Sequence, residues 1–177
     1  MKKILTAILI LTVLAAGLLM AGCSGGSSGT TTTQEYAKVG EVAPNFELKD
    51  ISGNTISLKS FRGKPVFINF WATYCGPCVD EMPLLQQVYD ERADDGLVML
   101  VINSGEDEVK AGGFIERNGY TFTVPLDKEI ELAMSYGVQY LPTTFLIDRD
   151  GILLAIKIGA FRDKATIDSE FMSQVFP

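Results

Sequence analysis

The sequence predicts an α/β layer sandwich around a mixed sheet, and two observations carry that prediction. Residues 65–71 and 97–102 are almost wholly apolar runs of strand length, the pattern of strands buried on both faces in a parallel setting. Between them Val79, Met82, Leu85, Val88 and Tyr89 recur at steps of three and four, the period of an amphipathic helix. A strand–helix–strand unit followed by helix, hairpin and helix makes layers rather than a bundle.

Each element has its own justification. Two short runs, 45–48 and 55–58, flank the turn-rich Asp50-Ile51-Ser52-Gly53-Asn54 and predict a β-hairpin. Strand 65–71 leads into a helix starting near Gly76, with Pro77 in the first turn, where its missing N–H costs nothing. Asp94-Asp95-Gly96 ends that helix and strand 97–102 follows. Residues 106–118 read as a helix weakened by Gly112-Gly113, and 128–136 as a shorter one. Strand 143–147 turns at Asp150-Gly151 into 152–158, its antiparallel partner. Ile167, Phe171 and Val175 mark the apolar face of a closing helix over 163–175. There is no internal repeat, P-loop or GxGxxG.

A chain of 177 residues holds one domain of ordinary size with a small addition at an end. Fifteen Lys and Arg face twenty-two Asp and Glu, for a net charge of −7, and there is no histidine. That absence excludes Ser-His-Asp triads, Cys-His dyads, His-bearing zinc sites and a haem held by its own histidine. An acidic chain without a basic stripe also has no electrostatic reason to bind nucleic acid.

The N-terminus reads as an address. Lys2 and Lys3 precede an uncharged apolar run of 19 residues, Ile4 to Gly22, which suits a signal peptide or an uncleaved anchor. Leu19-Met20-Ala21-Gly22-Cys23 resembles the lipobox of bacterial lipoproteins, with Met20 departing from the usual leucine. The resemblance implies cleavage before Cys23 and lipidation of that cysteine. Ser24-Gly25-Gly26-Ser27-Ser28-Gly29 and Thr30 to Thr33 have the composition of a flexible tether. The expected division is a signal peptide over 1–22, lipidated Cys23 and tether over 23–35, and one domain over 36–177 outside the cytoplasm. Without Lys2 and Lys3, 13 basic residues face 22 acidic ones, so anionic lipid repels the domain and the anchor alone must hold it.

The chemistry sits in Cys75-Gly76-Pro77-Cys78, where a buried strand gives way to a helix. A thiol at that junction faces unpaired backbone N–H groups and the positive end of the helix dipole, which raises its thiolate fraction. Cys75 at the N-cap should be exposed. Cys78 lies one turn below, close enough to form a disulfide with it. The rival readings are metal binding and a purely structural disulfide. A zinc site wants four ligands and finds two thiolates, no histidine and no second CxxC. A loop this short adds little loop-closure stabilisation, so it makes a poor staple.

Phe70-Trp71-Ala72-Thr73-Tyr74-Cys75-Gly76-Pro77-Cys78 resembles the active-site stretch of the thioredoxin superfamily. Pro83 matches the kink proline of the family's active-site helix, Tyr140-Leu141-Pro142-Thr143 the cis-proline loop, and Gly159 the glycine that packs near the site. With Ala43-Pro44-Asn45-Phe46 the likeness covers about residues 38–176. It implies a thioredoxin-like three-layer sandwich with a mixed central sheet and an N-terminal β-hairpin extension. Within the superfamily the chain most resembles the membrane-tethered TlpA/ResA-type thiol–disulfide oxidoreductases. The hairpin, the insertion between Val101 and Tyr136, Asn69 where thioredoxin has a buried aspartate, and Glu81 after Cys78 carry that likeness.

The resemblance implies roles. Cys75 and Cys78 form the redox-active disulfide, and Glu81 takes or gives the proton of the buried thiol; its other reading is an ordinary solvated helix position. Asn69 is a weaker participant, or only satisfies a polar neighbour. Trp71 packs under the site and Tyr74 rims it. With Gly76, Pro77, Leu141, Pro142 and Thr143 they form the implied substrate-binding set, Pro142 being cis so that strand-like pairing lays a substrate beside Cys75. No cofactor or metal is implied. Implied partners are disulfides of envelope proteins or of apocytochrome c, and a CcdA-like transmembrane thiol carrier as electron donor. With no other cysteine in the domain, a covalent dimer is not expected, and the domain reads as a monomer. The Gly-Pro pair resembles thioredoxin's, whose potential of about −270 mV contrasts with about −120 mV for the oxidant DsbA, and so favours a reductant. A peroxiredoxin, which the N-terminal half also resembles, needs Pro-x-x-x-Thr/Ser-x-x-Cys; before Cys75 those places hold Ile68 and Ala72.

Overall fold

A computed structural model describes residues 36–176. The predicted hairpin forms from β1 (Glu47–Lys49) and β2 (Thr55–Ser57), paired antiparallel as a sheet of their own. Asp50 builds its turn, accepting from the N–H groups of Ser52 and Asn54 at 2.9 and 2.8 Å, an Asx turn that substitutes side chain for backbone. Leu58–Phe61 follows as a short 3₁₀ turn, so the second run stops being strand at Ser57.

The central sheet has five strands in the order β5-β4-β3-β6-β7. These are β3 (Val66–Trp71), β4 (Val98–Ser104), β5 (Leu126–Asp127), β6 (Thr143–Ile147) and β7 (Leu153–Ile158). β4 runs parallel to β3 and β5 to β4, while β6 and β7 are antiparallel to their neighbours, the mixed sheet the sequence predicts. β3 is buried at all six positions, as its unbroken apolar composition requires. The two-residue β5 was not foreseen; a strand that short has no periodicity to read.

Helix α1 (Gly76–Arg92) crosses one face of the sheet. Met82, Leu85 and Val88 pack there with Phe67, Trp71, Leu146, Phe171 and Met172. The other face is closed by the chain before the sheet, where Ala43, Phe46 and Leu58 meet Ile68, Phe70, Phe145 and Tyr136. These are the two outer layers of the sandwich.

The insertion differs from the sequence reading at its helix ends. Helix α2 is Glu108–Asn118, because Asp107 caps it by accepting from the Lys110 N–H at 2.9 Å; Glu106 therefore lies before the helix, not in it. The predicted 128–136 helix shrinks to α3 (Glu131–Ser135). Ile130 sits at φ 62°, outside helical space, and Asp127 accepts from the N–H groups of Leu132 and Ala133 at 3.1 and 2.8 Å. The closing helix starts as α4 (Lys164–Ile167), passes through a π-type turn at Asp168–Met172 and ends as α5 (Ser173–Val175). Among the described residues no helix is long and apolar enough to cross a membrane.

Candidate active site

The site begins where β3 runs out. Cys75 is the N-cap of α1, in extended conformation, and its Sγ accepts from the Cys78 N–H at 3.3 Å. Cys75 and Cys78 are joined as a disulfide with Cα atoms 5.2 Å apart. Their environments differ: Cys75 is half-buried, whereas Cys78 is 1% exposed. One sulfur therefore borders solvent while the other borders the core.

The loop leading to Cys75 is held by a carboxylate that sequence reading missed. Glu106 accepts from the Thr73 N–H at 2.7 Å, the Thr73 hydroxyl at 2.6 Å and the Asn103 amide at 2.8 Å, and pairs with Lys110 at 2.7 Å. Burial pushes the Glu106 carboxyl up, but the donors from Asn103, Lys110 and Thr73 outweigh it and hold the group at about 2. Its Lys110 partner, four residues on, was the signal available; Thr73, 33 residues away, only the fold brings close.

Behind Cys78 lies Glu81, fully buried, which removes the alternative reading of a solvated helix position. Its Oε1 accepts from the Asn69 amide at 2.9 Å and its Oε2 from the Phe161 N–H at 2.7 Å. Asn69 also donates to the Thr144 hydroxyl at 3.0 Å. Burial raises the Glu81 carboxyl from 4.5 to about 7, against the Phe161 N–H, the Asn69 amide and the charge of Lys157. A residue three positions after Cys78 on the same helix shares its face. A carboxyl placed there and half-ionised near neutrality can exchange a proton with a thiol.

The loop after α3 completes the site. The Leu141–Pro142 bond is cis, and the Gly159 N–H donates to the Pro142 carbonyl at 2.8 Å. Gly76 and Pro77 are exposed, Leu141 is half-buried, and Tyr74 is 69% exposed. Trp71, Pro142 and Thr143 offer a substrate no comparable surface: Trp71 is fully buried with its indole N–H donating to the Val101 carbonyl, Pro142 is buried, and Thr143 is 3% exposed, its hydroxyl donating to the Tyr140 carbonyl. Exposed Tyr140, which the sequence places in the cis-proline loop but not among the substrate-binding residues, and exposed Ile158 stand beside Leu141–Pro142 and Gly159. Cys23 lies outside the described residues. Among the described residues no cluster of three or more Cys, Asp or Glu side chains is placed to hold a metal ion.

A family model described as the AhpC/TSA family matches residues 39–156. The thiol–disulfide oxidoreductase ResA of Halalkalibacterium halodurans is 37% identical over 144 residues, covering 81% of each chain. The chain belongs to the AhpC/TSA family, among its ResA-type members. A Chlorobium tepidum structure assigned as a DsbE thiol:disulfide interchange protein superposes with TM-score 0.72 at 30% identity, over 77% of this chain and 97% of that one. The exposed lipoprotein thioredoxin of Streptococcus pneumoniae superposes with TM-score 0.65 at 28% identity, over 73% and 99%. This ResA-type protein is thus a thiol–disulfide oxidoreductase with the thioredoxin fold, its disulfide at Cys75–Cys78. Ile68 and Ala72, fully buried where a peroxidatic signature would put proline and a hydroxyl residue, leave no such site around Cys75.

Proposed function

We propose that this chain is an extracytoplasmic lipoprotein whose Cys75–Cys78 dithiol reduces disulfides of envelope proteins or of apocytochrome c. The asymmetry of the cysteine pair carries the reading: an accessible sulfur at a helix N-terminus, backed by a buried sulfur and a buried acid. Residues 1–22 are the signal peptide, Cys23 carries the lipid and 23–35 form the tether to the domain over 36–177. The likeness to a pneumococcal protein described as an exposed lipoprotein supports this division. A CcdA-like transmembrane thiol carrier returns the disulfide to the dithiol.

In the reduced protein the N–H groups and dipole at the start of α1 favour the Cys75 thiolate. That thiolate attacks one sulfur of the target disulfide, and the other leaves as a thiolate. Cys78 then attacks Cys75, its proton passes to Glu81, and the target's second sulfur leaves. The substrate chain lies beside Pro142 in extended form. Because Pro142 has no N–H to donate and its carbonyl already accepts from the Gly159 N–H, pairing falls to Leu141, with Tyr74, Gly76 and Pro77 at the rim.

Three measurements test this. In intact cells, Cys78→Ser protein should accumulate mixed disulfides with envelope proteins through Cys75; absence of any covalent partner refutes the enzymatic reading. Cys23→Ala should release the domain from the membrane fraction. The reduction potential of the pair, by thiol trapping in a dithiol buffer, should fall below roughly −220 mV; a value above roughly −150 mV reverses the direction of electron flow.

A further inference from the structure

A row of polar residues crosses the sheet under the disulfide, and the chemistry above uses only one end of it. Asn69 on β3 stands opposite Thr144 on β6, and Thr144 opposite Lys157 on β7. Directly opposed residues project to the same face of a sheet, so all three face the layer from which α1 presents Glu81. The neighbouring row on that face, Phe67, Leu146 and Ala155, is apolar core. A half-buried lysine one register step from that core has a defined environment for its charge.

Two features define what that is. The Lys157 ammonium lies 5.2 Å from the centre of the Phe161 ring, within the range of a cation–π contact. Phe161 is the residue whose N–H donates to Glu81 Oε2. Among the described residues Lys157 forms no ion pair, so its field is not spent on a closer carboxylate. Lys164, on the neighbouring α4, is neutralised by Glu91 and Asp168 at 2.6 and 2.7 Å.

We propose that Lys157 is a positioning residue for proton transfer: its ammonium, held over the Phe161 ring, keeps Glu81 ready to accept the proton of the Cys78 thiol. The inference rests on Glu81 being that acceptor. Burial alone favours the protonated carboxyl, which has no room for another proton. β3 and the segment after β7 supply Glu81 with the uncharged donors Asn69 and the Phe161 N–H, β6 supplies Thr144 to Asn69, and α1 brings Cys78 from the same helix. Lys157 on β7 is the charge that acts on the carboxyl, and it favours the ionised form. In the step it serves, a Cys78–Cys75 bond forms, the bond from Cys75 to the substrate sulfur breaks, and the electron pair leaves with the substrate thiolate. The Cys78 proton moves to Glu81.

The test uses the full chain, reduced, against 5,5′-dithiobis(2-nitrobenzoate). The first nitrothiobenzoate released reports attack by Cys75, and the second reports attack by Cys78. In Lys157→Met, which keeps the stem and removes the charge, the ionisation governing the second phase should move up by about half a pH unit. That slows the phase about twofold at pH 7 and leaves it unchanged at high pH. Lys157→Arg should restore the original midpoint. Glu81→Gln, run in parallel, should abolish the ionisation. If the ionisation survives in Glu81→Gln, the acceptor reading fails and this inference with it. If it vanishes there but stays in place in Lys157→Met, Lys157 alone is refuted. A Lys157→Arg profile matching that of Lys157→Met also overturns the proposal, because packing rather than charge would then be the cause.

Discussion

Replacing Glu81 by glutamine should change how stability depends on pH in a way few substitutions can. The carboxyl is fully buried and titrates at about 7 against 4.5 when free. The native state therefore holds a proton that the unfolded chain has already given up, so the contribution of Glu81 to stability is greatest below about pH 4.5 and falls as pH rises through 7. At about 1.4 kcal/mol per unit, the loss amounts to ~3 kcal/mol between pH 4 and 8. Glutamine cannot ionise, and the site can accept it. Its Oε1 takes the Phe161 N–H, and Asn69 turns its amide so that Oδ1, which has no donor in the structure, accepts from the new amide. The chain has no histidine, and the disulfide silences Cys75 and Cys78, leaving few side chains to obscure the window from pH 5 to 8. Urea unfolding of the oxidised protein across that window should show wild type losing stability while Glu81→Gln stays level, the two curves separating by ~2–3 kcal/mol. Parallel curves would refute the claim that Glu81 is protonated by burial.

Glu106 has the opposite sign. Its folded pKa of about 2 lies below the ordinary 4.5, so its contribution is present above about pH 4.5 and is lost as pH falls toward 2, ~3 kcal/mol in all. Glu106→Gln should destabilise by ~2–4 kcal/mol at pH 7, with the deficit closing in acid; a constant deficit would show that charge is not what holds Thr73. Asp127→Ala strips the acceptor from the Leu132 and Ala133 N–H groups and should cost ~1–2 kcal/mol. Hydrogen exchange should then quicken at those two amides first, and unchanged protection there would refute the capping role.

The sequence alone determined the sheet strands β3, β4, β6 and β7, the hairpin, helix α1 and the placement of Cys75 and Cys78. Each depends on local pattern: an apolar run, a 3.6-residue period, a turn residue or a cysteine spacing. Family likeness added the cis Leu141–Pro142 bond and drew attention to Glu81, whose burial no local pattern gives. The boundaries of α2 and α3 were misplaced because they are set by the side chains of Asp107 and Asp127, which periodicity does not see. The tertiary structure decided the rest. Thr73 meets Glu106 from 33 residues away, and Glu81 meets Phe161 from 80. Asn69, Thr144 and Lys157 join one row only through the register of three strands. The physical reason is that a buried carboxylate's proton affinity is set by the donors and charges packed against it, and those come from whichever strands the sheet places side by side.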